Sequence, residues 1–376
     1  MNVLAKKLGT VQAVGLSISI IAPTAAMALN VSLTAQPAGR AAPLAFAIGT
    51  AVMAIVGGSF VGFSRRMAHA GSAYAYVGLI FGRRCGFIAG WTLLLTYLTY
   101  AAGASALVGD FLVAALQNFG LHPVTFWVVF GVGAILLAAC CAYRDMRIAA
   151  QLMLALEGLS VLGILALSFM IVAEIARTTG LPSAPFAPSP EFDGWSGVGY
   201  GLVFTVLSFA GFEGAATLGE EVVNPRRGIP IAIAGTVLLA GALFVFVSYA
   251  EVIGYGLDHI KALGTADAPL NELAISYVSK DFATAIDVAA AISAFACVIA
   301  SLSVGARLLF ALGRAGLAAR IGAADAARGT PAASLVLGGG FCLTGILAWA
   351  PYVDAADCTL ISSRSVPWRS SSPMSR

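Results

Sequence analysis

The stretch from Phe204 to Pro230 carries the side chains best suited to holding a solute. Phe204-Thr205-Val206-Leu207-Ser208-Phe209-Ala210-Gly211-Phe212-Glu213-Gly214 is an apolar run of membrane-crossing character, yet it holds two glycines and a carboxylate at its centre. An ionised group at mid-bilayer costs roughly 3 kcal/mol on insertion scales, so Glu213 requires a cavity lined by protein or water. Gly211 and Gly214 weaken the helix, and irregular backbone at that depth survives only inside protein or against a cavity. The pattern predicts a broken helix with a binding site at its break. Just beyond it, Glu220 and Glu221 sit beside Arg226 and Arg227. They suit salt bridges that lock a gate at the membrane edge, and a solvated charged loop is the other reading.

Such a run needs a membrane and partner helices, and the composition supplies both. Of 376 residues, 59% are hydrophobic and 10% charged, with a mean hydropathy of +0.91. Soluble domains carry about 25% charged residues, so the chain reads as an all-α polytopic membrane protein. A crossing takes about 20 apolar residues. By that measure about nine segments qualify, at 11–33, 44–63, 86–116, 123–142, 148–173, 198–218, 229–253, 282–312 and 332–350. With the N-terminus placed in the cytoplasm, the basic residues at 6–7, 65–66, 83–84, 144–147, 226–227 and 307–328 all fall inside. Before the tail, only Arg40, Arg177, Lys261 and Lys280 fall outside, which is the asymmetry of a multi-pass protein of the cytoplasmic membrane. The net charge of +3 decides nothing by itself, and the six cysteines show no metal-ligand spacing.

The first segment is interrupted as well. Gly15-Leu16-Ser17-Ile18-Ser19-Ile20-Ile21-Ala22-Pro23-Thr24 sets a proline and hydroxyls near mid-membrane. Pro23 removes a backbone donor and breaks the preceding turn. Lys6 and Lys7 before an apolar stretch and Ala26-Met27-Ala28 imitate a cleavable signal. The apolar run continues past Ala28, however, so a retained helix is the better reading. The first and sixth segments are five apart and therefore antiparallel. Paired discontinuous helices of opposite direction point to inverted repeats with a solute site between them. His69, in the basic loop after the second segment, reads as an interfacial polar residue rather than a proton carrier.

Three pieces together resemble the amino acid/polyamine/organocation permeases. They are Ala70-Gly71-Ser72-Ala73-Tyr74-Ala75-Tyr76 with Gly86-Phe87 and Gly90-Trp91; Ser208 to Glu213 with Gly219 to Pro230; and Ala306-Arg307-Leu308-Leu309-Phe310-Ala311-Leu312-Gly313-Arg314-Ala315-Gly316. The resemblance covers nearly all of residues 10 to 350. It implies a LeuT-type bundle of inverted five-helix repeats that moves amino acids or related amines by alternating access. It also implies a substrate site at the unwound centres: Ser17, Ser19, Ile21, Ala22 and Pro23 from the first helix, Phe209, Ala210, Gly211, Phe212 and Glu213 from the sixth, and Tyr97 beside them. Where many relatives carry Gly-Ser-Gly this chain has Leu16-Ser17-Ile18, so the hydroxyls of Ser17 and Ser19 are the expected donors. Glu213 attracts an amine or serves as a buried structural acid. By likeness to proton-coupled relatives, Glu157 takes up and releases a coupling proton, the alternative being a structural carboxylate. Ser301 and Ser303 stand where sodium-coupled members of the wider fold place ion ligands.

The resemblance organises residues 1–350 as a transmembrane permease domain with an incomplete second repeat. Beyond Pro351 a tail at 351–376 turns to Ser, Arg and Pro, reads as disordered, and lacks a further span. A frameshifted or truncated frame, ending after the ninth helix, is the expectation. The partners expected are a small amino acid or polyamine and membrane lipid, with no nucleic acid, metal or cofactor. An intramembrane enzyme would need a paired acid and base or a metal cluster, and only isolated carboxylates are present. A truncated, non-transporting protein that binds or senses its solute is the alternative to a transporter.

Overall fold

The computed structural model of the protein describes residues 8–67, 69, 71–121, 126–144, 146–317 and 331–364. The chain crosses first as α1 (Thr10–Ile21) and α2 (Pro23–Ala38), then as α3 (Ala42–Arg66). A short α4 (Ala73–Phe81) leads into α5 (Arg83–Gln117), α6 (Trp127–Arg144) and α7 (Met146–Thr178). The second half runs α8 (Trp195–Ser208), α9 (Pro225–Tyr255), the short α10 (Ile260–Thr265) and α11 (Pro269–Tyr277), then α12 (Lys280–Leu312) and α13 (Ala332–Arg364). Among the described residues there is no strand, only an isolated bridge between Leu8 and Val222. Lys6, Lys7, Arg320 and Arg328 lie outside the described residues, as do residues 365–376 of the tail.

Among the described residues, seven helical stretches are long and apolar enough to cross a membrane, the first of them, Thr10–Arg66, holding both the α1–α2 pair and α3. Helix α8 has 14 residues. At 1.5 Å per residue it reaches about 21 Å, short of the roughly 30 Å hydrocarbon core. The sixth crossing is therefore completed by the unwound stretch after Ser208 and a 3₁₀ turn over Gly214–Leu218. Large apolar side chains such as Ile55, Val129, Leu136, Val203 and Leu347 face outward, as lipid contact requires.

The closest packing joins α5 to α12 and α3 to α9, and in an inverted repeat the members of each pair are counterparts. Helix α12 is buried along nearly its whole length and forms the spine of the bundle. Where α3 meets α9, Phe46 and Phe244 meet edge to face, and a β-carbon on Gly241 would strike Thr50. Small residues let membrane helices approach this closely. Two connections contain short helices. The basic loop after α3 holds α4, laid against α5, and the connection from α9 to α12 holds α10 and α11. Leu263, Leu270 and Leu273 are buried there, and exposed Glu272 accepts from the Tyr255 hydroxyl at 2.6 Å.

Candidate functional site

The first helix breaks at one residue. Ala22 lies in the left-handed region (φ 47°, ψ 63°) and caps both half-helices: its N–H donates to the Ile18 carbonyl at 3.1 Å, and its carbonyl accepts from the Ala26 N–H at 2.8 Å. Pro23 opens α2, where a missing N–H is harmless. The sixth helix breaks over a longer stretch, Phe209 to Glu213, with Gly211 at φ 97°. A β-carbon at Gly211 or Gly214 would run into the Ile20 side chain. The two breaks thus press on each other, and Ser17 Oγ ties them by accepting from the Ala215 N–H at 2.8 Å.

A cavity of about 460 Å³ opens beside the first break. Its walls are α2, α5, the end of α8 and α12, and they include Ile21, Ala22, Leu29, Asn30, Tyr100 and Cys297. Asn30 Nδ2 donates to Ser208 Oγ at 2.8 Å, joining α2 to α8 across its rim. The Cys297 thiol donates to the Ile20 carbonyl at 3.2 Å, a group that the break leaves without a helical partner. Of the expected substrate-binding residues, only Ile21 and Ala22 line this cavity. Pro23, Ser17, Ser19, Phe209, Gly211 and Phe212 are buried behind it, and Ala210 is half-buried.

Glu213 is half-buried, and its Oε1 accepts from the hydroxyl of buried Tyr97 at 2.7 Å. Glu157, 1% exposed on α7, stands in a chain of hydroxyls. Ser293 Oγ donates to its Oε1 at 2.7 Å and Ser160 Oγ at 3.3 Å, while Thr24 at the start of α2 donates to Ser160 at 3.1 Å. The chain links α2, α7 and α12 at the level of the first break. Ser301 and Ser303 lie elsewhere. They fall eight and ten residues after Ser293, about 12–15 Å along α12, with Ser301 beside Cys297 Sγ at 3.6 Å.

On the N-terminal side the structure is shut. Arg307 grips Glu221 with two hydrogen bonds, Nε to Oε1 and Nη2 to Oε2, the second at 3.0 Å, and both side chains are buried. Arg314 pairs with Glu220 and lies 4.7 Å from the Phe310 ring centre. Leu8 pairs with the loop after the sixth crossing, its N–H on the Glu221 carbonyl at 3.1 Å. This corrects the expected pairing: Arg226 and Arg227 are exposed, and the two glutamates turn instead to the end of α12. Physically, α9 begins at Pro225 and carries both arginines away along its own surface, whereas α12 ends beneath the acidic pair. His69 lies near the same cluster. Its Nδ1 accepts from the Gly71 N–H at 2.9 Å, and burial holds the imidazole below its ordinary value, with Glu220 opposing and Arg314 reinforcing the shift.

Ser293, Asn30, Tyr100 and Cys297 were missed from sequence, because each looks like an ordinary residue of a packed helix until its neighbours are known. Arg307 and Arg314 appeared only as part of a signature. Asp287 was also missed; its Oδ2 accepts from Asn118 at 3.1 Å and Asn271 at 2.6 Å, pinning α11 to α12 and the end of α5.

Comparison with known proteins gives a consistent picture. The family model described as amino acid permease matches residues 8–368. The branched-chain amino acid permease BcaP of Lactococcus lactis subsp. cremoris (strain MG1363) is 29% identical, the alignment covering 80% of this chain and 67% of that protein. The low-affinity putrescine importer PlaP of Escherichia coli (strain K12) is 27% identical over 81% of this chain and 66% of its own length. The chain thus spans about two thirds of either relative. Among solved structures, a sodium-coupled sialic acid symporter in a substrate-bound outward-open state aligns with a TM-score of 0.60 at 14% identity, covering 91% of this chain and 75% of that one. The last match speaks to the fold alone, an inverted-repeat bundle with first and sixth helices discontinuous.

Proposed function

The chain belongs to the amino acid permease family, and from that premise we propose that it is a secondary active transporter moving an amino acid or related amine across the cytoplasmic membrane by alternating access. The observation that carries the reading is the meeting of the two breaks, Ile20 against Gly211 and Gly214, beside a solute-sized cavity. Pockets for small molecules run from about 300 to 1,000 Å³. The start of α2 presents the positive end of a helix dipole, which suits a carboxylate. The ends of α1 and α8 present carbonyls and the negative end, which suits an ammonium group.

In this reading the N-terminus is cytoplasmic, as the basic residues argue, and the ion pairs of Glu221 and Glu220 form the closed inner gate. Opening that gate requires α12 to release both carboxylates while the cavity closes on the opposite side. Glu157 carries the coupling proton. Its carboxyl touches the first break through Thr24 and Ser160 and the bundle spine through Ser293, so a change in its charge bears on both moving parts.

Uptake of radiolabelled amino acids and polyamines into proteoliposomes tests the transport proposal, with accumulation driven by an inward proton gradient as the expected result. Glu157→Gln should exchange substrate without responding to the gradient. Transport by that variant with its full pH dependence would remove the coupling role, and ligand binding without uptake would favour a sensing protein.

A further inference from the structure

We infer that the cavity beside the first break takes a neutral amino acid with an apolar side chain of about leucine size, in preference to a diamine or a cationic amino acid. The inference rests on the transport-site reading above and narrows its substrate. Among the described residues that line the cavity there is no Asp, Glu, Lys or Arg. Its polar groups are few: Asn30 holds Ser208, Thr99 bonds within its own helix, Cys297 holds Ile20, and Tyr100 adds one uncharged hydroxyl. The two nearby acids do not serve it. Glu213 is held by Tyr97 and Glu157 by Ser293 and Ser160, and neither lines the space.

Beyond the peptide groups of the break, the cavity is lined by Leu29, Leu107 and Leu207. Its other apolar side chains are small, among them Ala25, Ala26 and Ala294. Both backbone charges of a zwitterion are met at the helix termini, but the far end of any substrate meets hydrocarbon. A second ammonium there has no counter-charge, and burying an unpaired charge is strongly disfavoured. An apolar side chain instead gains about fourfold in affinity per methylene removed from water. The small residues beside the leucines leave the room that a branched chain needs.

The test is a thermal-shift titration of the purified protein with glycine, alanine, valine, leucine, arginine and putrescine. Apparent affinity should climb about fourfold per methylene from alanine to leucine, with arginine and putrescine roughly 100-fold weaker than leucine. Ala26→Leu, which fills the space, should lose the response to leucine while keeping that to alanine. Binding of putrescine or arginine as tight as that of leucine, or no response to any of the six, overturns the inference. Proteoliposome uptake separates the two layers. Leucine binding without uptake overturns transport and leaves this inference standing, whereas putrescine uptake without leucine binding does the reverse.

Discussion

The two helix breaks are pseudo-symmetric counterparts, yet they are built by different physics. The first is a point: Pro23 bars its predecessor from right-handed helix, and Ala22 turns left-handed at a strain of about 1–2 kcal/mol. Covalent geometry between neighbours makes it. The second is a stretch of five residues without a proline, kept open by Gly211 and by the Ile20 side chain that fills the space where β-carbons would be. Its own glycines permit it, and a neighbour more than 180 residues away in the chain holds it open. The first break is therefore stiff and self-sufficient. The second depends on its mate, which suits the element whose far end carries Glu220 and Glu221 to Arg314 and Arg307.

Four substitutions sharpen this contrast. Gly211→Val should have the largest effect, because it combines a forbidden φ with a collision against Ile20; a loss of about 3 kcal/mol or more and no uptake are expected. Thermal unfolding in detergent and proteoliposome uptake read both. Adding Ile20→Ala should restore part of the stability, and no recovery would argue that φ alone shapes the second break. Ser17→Ala should come next. It leaves the buried Ala215 N–H without an acceptor, at about 1–3 kcal/mol, and a wild-type melting temperature would mean that the breaks are not tied there. Ala22→Gly should be smallest and of opposite sign. Relief of left-handed strain is offset by the greater freedom of glycine in the unfolded chain, leaving a gain of about 0.5 kcal/mol. A clear destabilisation would show that the first break, too, relies on its surroundings.

How much of this was legible beforehand follows the same division. Apolar runs of crossing length gave the spans, and Pro23 with Gly211 and Gly214 marked where two of them fail, since a broken helix reports on its own residues. The short helices α10 and α11 were hidden because six to nine residues are too few for a periodic pattern, and their burial comes from α2, α9 and α12. Glu157 was visible as an acid in an apolar helix; Ser293, its strongest partner, lies 136 residues on and looked like any serine.

Sequence alone, then, determined an α-helical membrane bundle, the depth of its two interruptions and the acids that had to be accommodated. Those follow from hydrophobicity and backbone sterics, which act between near neighbours. Only the tertiary structure decided which arginines pair with Glu220 and Glu221, which hydroxyls hold Glu157, and that the described residues of the cavity wall carry no charge. Such choices depend on which side chains from distant segments meet at hydrogen-bonding distance, and packing sets that distance.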